Sequence, residues 1–126
     1  MKKLGFIGCG NMAGAIIGGI ISSGLLKKEE IIAAEIMEAA RKNAESKFGI
    51  EVTADNKQVA AESEIIVLAV KPQFYVEVIE EIRPIIPKET IILTIAPGFS
   101  LDKLASLFSK GQKIIRAMPN TPARRN

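Results

Sequence analysis

The chain has 126 residues, 48% of them hydrophobic and 25% charged, with a net charge of +3, which describes one globular domain with an apolar core. Its aromatics are five Phe and one Tyr, and no run of basic residues marks a nucleic-acid footprint, so base stacking and phosphate tracking are excluded as its main business. There is no His and a single Cys, Cys9, which excludes histidine catalysis, an internal disulfide and a zinc site within the chain, and fits a reducing, cytoplasmic setting.

The opening "MKKLGFIGCGNMAGAIIGGIISSGLLKK" carries no charge between Leu4 and Leu26, a length that could cross a bilayer of about 20 residues. Its glycines, Asn11, Ser22 and Ser23 lower the hydrophobicity, and the apolar part before Cys9 is shorter than a signal-peptide core of roughly 7–15 residues. The period also changes within it. Leu4, Phe6 and Ile7 read as a short buried strand, whereas Met12, Ile16, Ile17, Ile20 and Ile21 recur at helical spacing up to a stop at Gly24. A strand, a turn and a helix are therefore predicted rather than a membrane anchor.

"EIIAAE" predicts a second strand, and "MEAARKNAESKFG" a helix with Met37, Ala40, Ala44 and Phe48 on one face, ending at Gly49. "IEVT" is a third strand, and "DNKQVAAES" a short helix capped by Asp55. "EIIVLAV" is an uninterrupted β-rich run, the pattern of a strand buried on both faces, stopped by Lys71-Pro72. "QFYVEVIEEIRPII" places Val76, Ile79 and Ile82 at helical spacing, with Pro84 near its end. "TIILTIA" is a fifth strand closed by Pro97-Gly98, Ser100 caps the helix "LDKLASLFSK", and "KIIRAM" is a sixth strand. Strands alternating with amphipathic helices predict an α/β fold. It is a doubly wound parallel sheet covered on both sides, a single Rossmann domain with strand order 3-2-1-4-5-6.

The chemistry falls on the turns. "GFIGCGNMAG" follows a strand and opens a helix, the setting in which a G-x-G-x-x-G/A pattern cradles a pyrophosphate. Gly8 permits a sharp turn, Gly10 lets phosphate approach the backbone, and Ala13 keeps helix and strand close. The first N–H groups of the helix face the anion. Gly10, Gly14 and Gly18, four apart, predict a helix lying close on the sheet. Cys9 reads as a small spacer rather than a catalytic thiol, although a helix N-terminus lowers a thiol pKa. Glu35 ends the second strand about 25 residues beyond the turn, where an acid binds the adenosine ribose hydroxyls and repels the 2′-phosphate of NADP. The nearest cation after it is Arg41, so this position leans to NAD over NADP. "AVKP" (Ala69, Val70, Lys71, Pro72) and "APG" (Ala96 to Gly98) both stand at carboxyl ends of strands, where doubly wound sheets bind ligands.

Three segments, "GFIGCGNMAGAI", "LAVKPQ" and "RAMPNTPA", in this order and spacing resemble the N-terminal domain of the pyrroline-5-carboxylate reductases. The resemblance extends to Ala123 and implies a dinucleotide-binding domain over residues 1–123 with a short tail at 124–126. It implies hydride transfer from NADPH or NADH to the C=N carbon of 1-pyrroline-5-carboxylate, giving L-proline. It further implies a pyrophosphate on Ile7, Gly8, Cys9, Gly10, Asn11 and Met12, and Asn56 near the adenosine end. Ala69 to Pro72 and Ala96 to Gly98 then line the cofactor groove, with Met118, Pro119 and Asn120 beside the nicotinamide and substrate. Many members carry Ser and Arg at the end of the second strand to hold a 2′-phosphate, where this chain has Glu35-Ile36. The family continues into a helical domain that makes the dimer and supplies most substrate contacts; no catalytic residue is assigned within this chain, and it is expected to be inactive alone. Two other readings stand beside this one: a related reductase of another small acid, and a non-catalytic nucleotide-binding or interaction module.

Overall fold

The computed structural model describes residues 1–95 and 100–117. Among them, strands β1 (Lys2–Ile7), β2 (Ile31–Ala34), β3 (Glu51–Thr53), β4 (Ser63–Leu68), β5 (Ile91–Thr94) and β6 (Lys113–Arg116) form one sheet in the order β3-β2-β1-β4-β5-β6. Every neighbouring pair is parallel, with Leu4 opposite both Ile31 and Ile65, and Leu68 opposite Thr94. This is the doubly wound order read from the sequence. The connecting helices are α1 (Asn11–Ser23), α2 (Glu38–Phe48), α3 (Asn56–Glu62), α4 (Tyr75–Ile82) and α5 (Leu101–Leu107). Among the described residues no helix is long and apolar enough to cross a membrane.

Local chemistry sets the ends of these elements. α1 stops at Gly24, whose φ of 77° lets the chain fold back so that Leu25 N–H reaches the Ile20 carbonyl. The Asp55 carboxylate accepts from Lys57 N–H at the start of α3, and the Ser100 hydroxyl from Lys103 N–H at the start of α5. α4 closes at Ile82, two residues before Pro84, which has no N–H to extend the helical ladder, although Arg83 keeps helical dihedrals and its N–H still donates to the Ile79 carbonyl.

Two apolar clusters sandwich the sheet. On one face Ile7, Ile32, Ile66, Leu68 and Ile92 meet α3, α4 and α5 through Val59, Tyr75, Ile79 and Leu104. On the other, Leu4, Phe6, Ile31, Ala33 and Val67 meet Ala13 and Ile17 of α1 and Ala44 of α2. Both α1 and α2 therefore lie over the β1–β2 half. Among the described residues the expected cover on both sides stops there: Leu93 and Ile95 are only partly buried and Ile115 is 52% exposed. Three residues expected on buried helix faces are also exposed, namely Met12, Met37 and Val76. Met12 sits in the first turn of α1 at the rim, and Met37 precedes α2 as its cap. In α4 the buried stripe runs through Tyr75, Val78, Ile79 and Ile82, which turns Val76 outward.

The glycine stripe of α1 corrects a further expectation. A Cβ at Gly14 or Gly18 would meet the ring of Phe48 on α2, at 3.6 and 3.4 Å, rather than the sheet. It is Ala13 and Ile17, on the adjacent stripe, that close the helix onto the strands.

Candidate functional site

All six strands end at the same edge, and β1 stands where the order reverses, with β2 on one side and β4 on the other. Ligands of doubly wound sheets bind outside the carboxyl ends of the strands at such a point. The turn from Gly8 to Gly10 occupies it. Gly8 has φ 95°, and a side chain there would also lie 2.9 Å from the backbone of Ala69, so both conformation and space demand glycine. Its N–H donates to the Ala34 carbonyl, and Ala69 N–H to the Ile7 carbonyl, each at 2.8 Å, which ties the turn to both neighbouring strand ends. A Cβ at Gly10 would meet nothing within 4 Å. That side of the turn is open.

α1 then begins with no side-chain cap and no acid in its first turn. Its first backbone bond runs from Gly14 N–H to the Gly10 carbonyl, so the N–H groups ahead of it are offered to an acceptor from outside. An anionic phosphate matches this geometry.

Glu35 follows β2 directly, as its place in the sequence predicts, and the structure gives it partners that the sequence did not suggest. Its Oε1 accepts from Cys9 N–H at 2.9 Å and its Oε2 from Met37 N–H at 3.0 Å. The carboxylate is thereby pinned between the glycine turn and the turn entering α2. Arg41 Nη1 donates to the carbonyls of Glu35 and Ile36 at 2.8 and 2.9 Å, closing that second turn from the far side. Arg41 had stood out only as the nearest cation; its signal was the spacing that puts it on the first turn of α2.

Cys9 is a buried spacer, and only the lowering of its pKa by the helix end is reversed. The thiol is buried, and its pKa is pushed up, first by burial and then by the Glu35 carboxylate, rather than lowered by the helix end. Desolvation outweighs the helix dipole because the side chain points into the cluster beneath α1 while only its N–H faces the turn. It is a spacer with a hydrophobic underside.

At the end of β4, Ala69 and Val70 are half-buried, while Lys71 and Pro72 are exposed at the site edge. The Lys71 carbonyl accepts from Phe74 N–H and starts a single 3-10 turn over Pro72–Phe74. Beneath it lies an arrangement that sequence reasoning missed. The buried Tyr75 hydroxyl contacts the Leu68 carbonyl and the Thr94 hydroxyl; the only available signal was a lone tyrosine in an apolar helical stripe. Asn56 stands at the start of α3 with its amide donating to Glu81 of α4 at 3.0 Å, and among the described residues no hydrogen bond joins it to the glycine turn. Ala96, Gly98, Met118, Pro119 and Asn120 lie outside the described residues. An open groove of about 470 Å³ also runs from Gly10 and Asn11 down between α1 and α2 to Phe48, away from the strand ends.

Residues 3–98 match the family described as NADP oxidoreductase, coenzyme F420-dependent. Pyrroline-5-carboxylate reductase of Escherichia coli is 42% identical over 122 residues, covering 97% of this chain and 45% of that protein. The solved pyrroline-5-carboxylate reductase of Coxiella burnetii superposes with a TM-score of 0.89 at 33% identity, over 97% of this chain and 45% of that one. The Plasmodium falciparum pyrroline carboxylate reductase, solved with NADP bound, does so with a TM-score of 0.82 at 30% identity, over 96% and 43%. The chain thus spans about half the length of the curated relatives it matches, and the resemblance read from its three motifs agrees with them. With the glycine turn at the switch point and residues 3–98 matched, the chain belongs to the NADP oxidoreductase, coenzyme F420-dependent, family.

Proposed function

We propose that this chain is the dinucleotide-binding half of a pyrroline-5-carboxylate reductase, reducing 1-pyrroline-5-carboxylate to L-proline with NADH or NADPH. One observation carries the reading: the uncapped N-terminus of α1 opens behind a glycine turn whose Gly10 side is empty, at the reversal point of the sheet. The matched reductases support the choice of substrate. In this reading residues 1–123 form the binding unit. Gly8, Gly10, Asn11 and Met12 hold the pyrophosphate by backbone N–H groups, with Ile7, Cys9 and Ala13 shaping the turn beneath it. Lys71 and Pro72 flank the nicotinamide side, together with Ala96, Gly98 and Met118 to Asn120, and Asn56 borders the adenosine side. The nicotinamide, when bound, supplies the hydride. What the chain itself contributes is position, since hydride transfer needs the donor carbon held against the acceptor carbon.

Between the two dinucleotides, we infer a preference for NAD. The Glu35 carboxylate is held by two backbone N–H groups, so it cannot swing away from a 2′-phosphate, yet each oxygen keeps a lone pair for a ribose hydroxyl. The matched Escherichia coli reductase is covered to only 45% of its length, and in this reading a further half holds the substrate and forms the homo-oligomer, in a reducing cytoplasm that suits the free Cys9. Fluorescence titration of the purified chain with NADH and NADPH tests the proposal. Binding of NADH, weaker binding of NADPH and no steady proline formation are expected. Binding of neither overturns the cofactor role; preference for NADPH overturns the Glu35 inference; steady turnover overturns the division of labour.

A further inference from the structure

Tyr75 opens α4 and Thr94 ends β5, and neither has any exposed surface. The Tyr75 hydroxyl lies 3.0 Å from the Leu68 carbonyl and 2.7 Å from Thr94 Oγ1. A carbonyl only accepts, so the phenol proton points at Leu68 and the Thr94 hydroxyl donates to the Tyr75 oxygen. Leu68 and Thr94 are register partners and the last residues of β4 and β5. The two hydroxyls therefore brace the last rung of this strand pair, one residue before Ala69 to Pro72. Buried hydroxyls cost free energy unless they are bonded, and the cluster around this pair is otherwise aliphatic apart from Phe108. At the opposite end of the same strand pair the contact is slighter: the Thr90 hydroxyl donates to the Ser63 carbonyl at 3.3 Å, and the buried Ser63 hydroxyl has no hydrogen-bond partner among the described residues.

We propose that Tyr75 and Thr94 are positioning residues for the nicotinamide half of the cofactor. They fix the separation of β4 and β5 where the chain leaves the sheet, and so the aim of Ala69 to Pro72, without touching cofactor themselves. The inference rests on the dinucleotide reading above. It separates two halves of one ligand: the glycine turn and Glu35 serve the ADP portion through β1 and β2, whereas the brace serves the portion over β4 and β5.

The test compares NADH with ADP as probes on the 126-residue chain carrying Tyr75→Phe, Thr94→Val or Thr94→Ser, with thermal unfolding run on each. Tyr75→Phe and Thr94→Val are expected to weaken NADH about tenfold, the effect of roughly 1.4 kcal/mol and close to the worth of one buried hydrogen bond. ADP affinity should stay within about twofold, a margin well under 1 kcal/mol. Thr94→Ser, which keeps the hydroxyl, should bind NADH like the parent chain. Equal losses for NADH and ADP would show general loosening and overturn the inference, as would unchanged NADH affinity. If Tyr75→Phe fails to fold, the Thr94→Val and Thr94→Ser pair decides alone. A parent chain that binds ADP and NADH leaves the cofactor reading standing whatever the variants do; one that binds neither overturns both.

Discussion

At Glu35 one carboxylate carries two duties, since it ties the glycine turn to the α2 turn and presents a fixed negative charge to whatever sits above them. Glu35→Gln removes the charge and leaves one amide N–H opposed to a backbone N–H. We expect NADH affinity to fall and the NADH-over-NADPH ratio to shrink about tenfold or more, as removal of a fixed charge near a phosphate dictates; parallel titrations of both dinucleotides measure it. Cys9, one residue along, makes a pH prediction. Its pKa is raised in the folded chain, so above the ordinary thiol range the unfolded chain has released the proton while the folded chain retains it. Stability from this group is therefore complete at neutral pH and declines as pH rises, by at most about 1.4 kcal/mol per unit. Urea unfolding from pH 7 to 10 should show a steeper decline for the parent than for Cys9→Ala. A disulfide-exchange reagent at pH 8 should label Cys9 rapidly only after unfolding. Fast labelling of the native chain would contradict the burial described for it.

Among the elements, β1 and α3 approach so closely that a side chain at Gly5 would collide with Ser63 Oγ and lie 2.6 Å from Val59. Gly5→Ala should cost about 1–3 kcal/mol by overpacking. Ser63→Ala deletes an unpartnered buried hydroxyl and should be neutral or stabilising by up to about 1 kcal/mol. Combined, the two should cost less than their sum, since they share one contact, and urea denaturation of the four proteins reads that coupling. In α1, Gly19 has open space around it and a helical backbone, so Gly19→Ala should raise stability by about 1 kcal/mol and leave NADH affinity unchanged. The order and kind of the elements were legible because the apolar runs and the turn residues agreed with one another, as at Gly24, Gly49 and Asp55. The helix faces were less so. Periodicity marks which residues share a stripe, but not that Gly14 and Gly18 would face Phe48 while Ala13 faced the sheet.

For the molecule as a whole, the frame of the candidate site was readable because a single local pattern, the glycine turn after a strand, marks where β1 ends and α1 begins at the reversal point of the sheet. Its second layer was not. The bonds from Glu35 to Cys9 and from Tyr75 to Thr94 join residues far apart in the chain, and no local spacing encodes them. The half of the sheet left bare by α1 and α2 bears on behaviour in solution. Ile115→Lys, on edge strand β6, should reduce self-association of the chain at high concentration, measured by sedimentation, because it places a charge on an exposed apolar edge. The central place of β1 has a consequence for synthesis. The first strand to leave the ribosome gains β2 within about thirty residues, but its other flank waits for β4, whose Ile65 pairs with Leu4. Until then the nascent chain holds a three-stranded half-sheet whose β1 edge lacks its partner, and that edge borders the glycine turn. Domains with such long-range central pairing fold late and are exposed to wrong partners in the interval. Ribosome-bound chains arrested before residue 63 should therefore recruit chaperones, and those released beyond residue 117, with α5 and β6 in place, should recruit fewer.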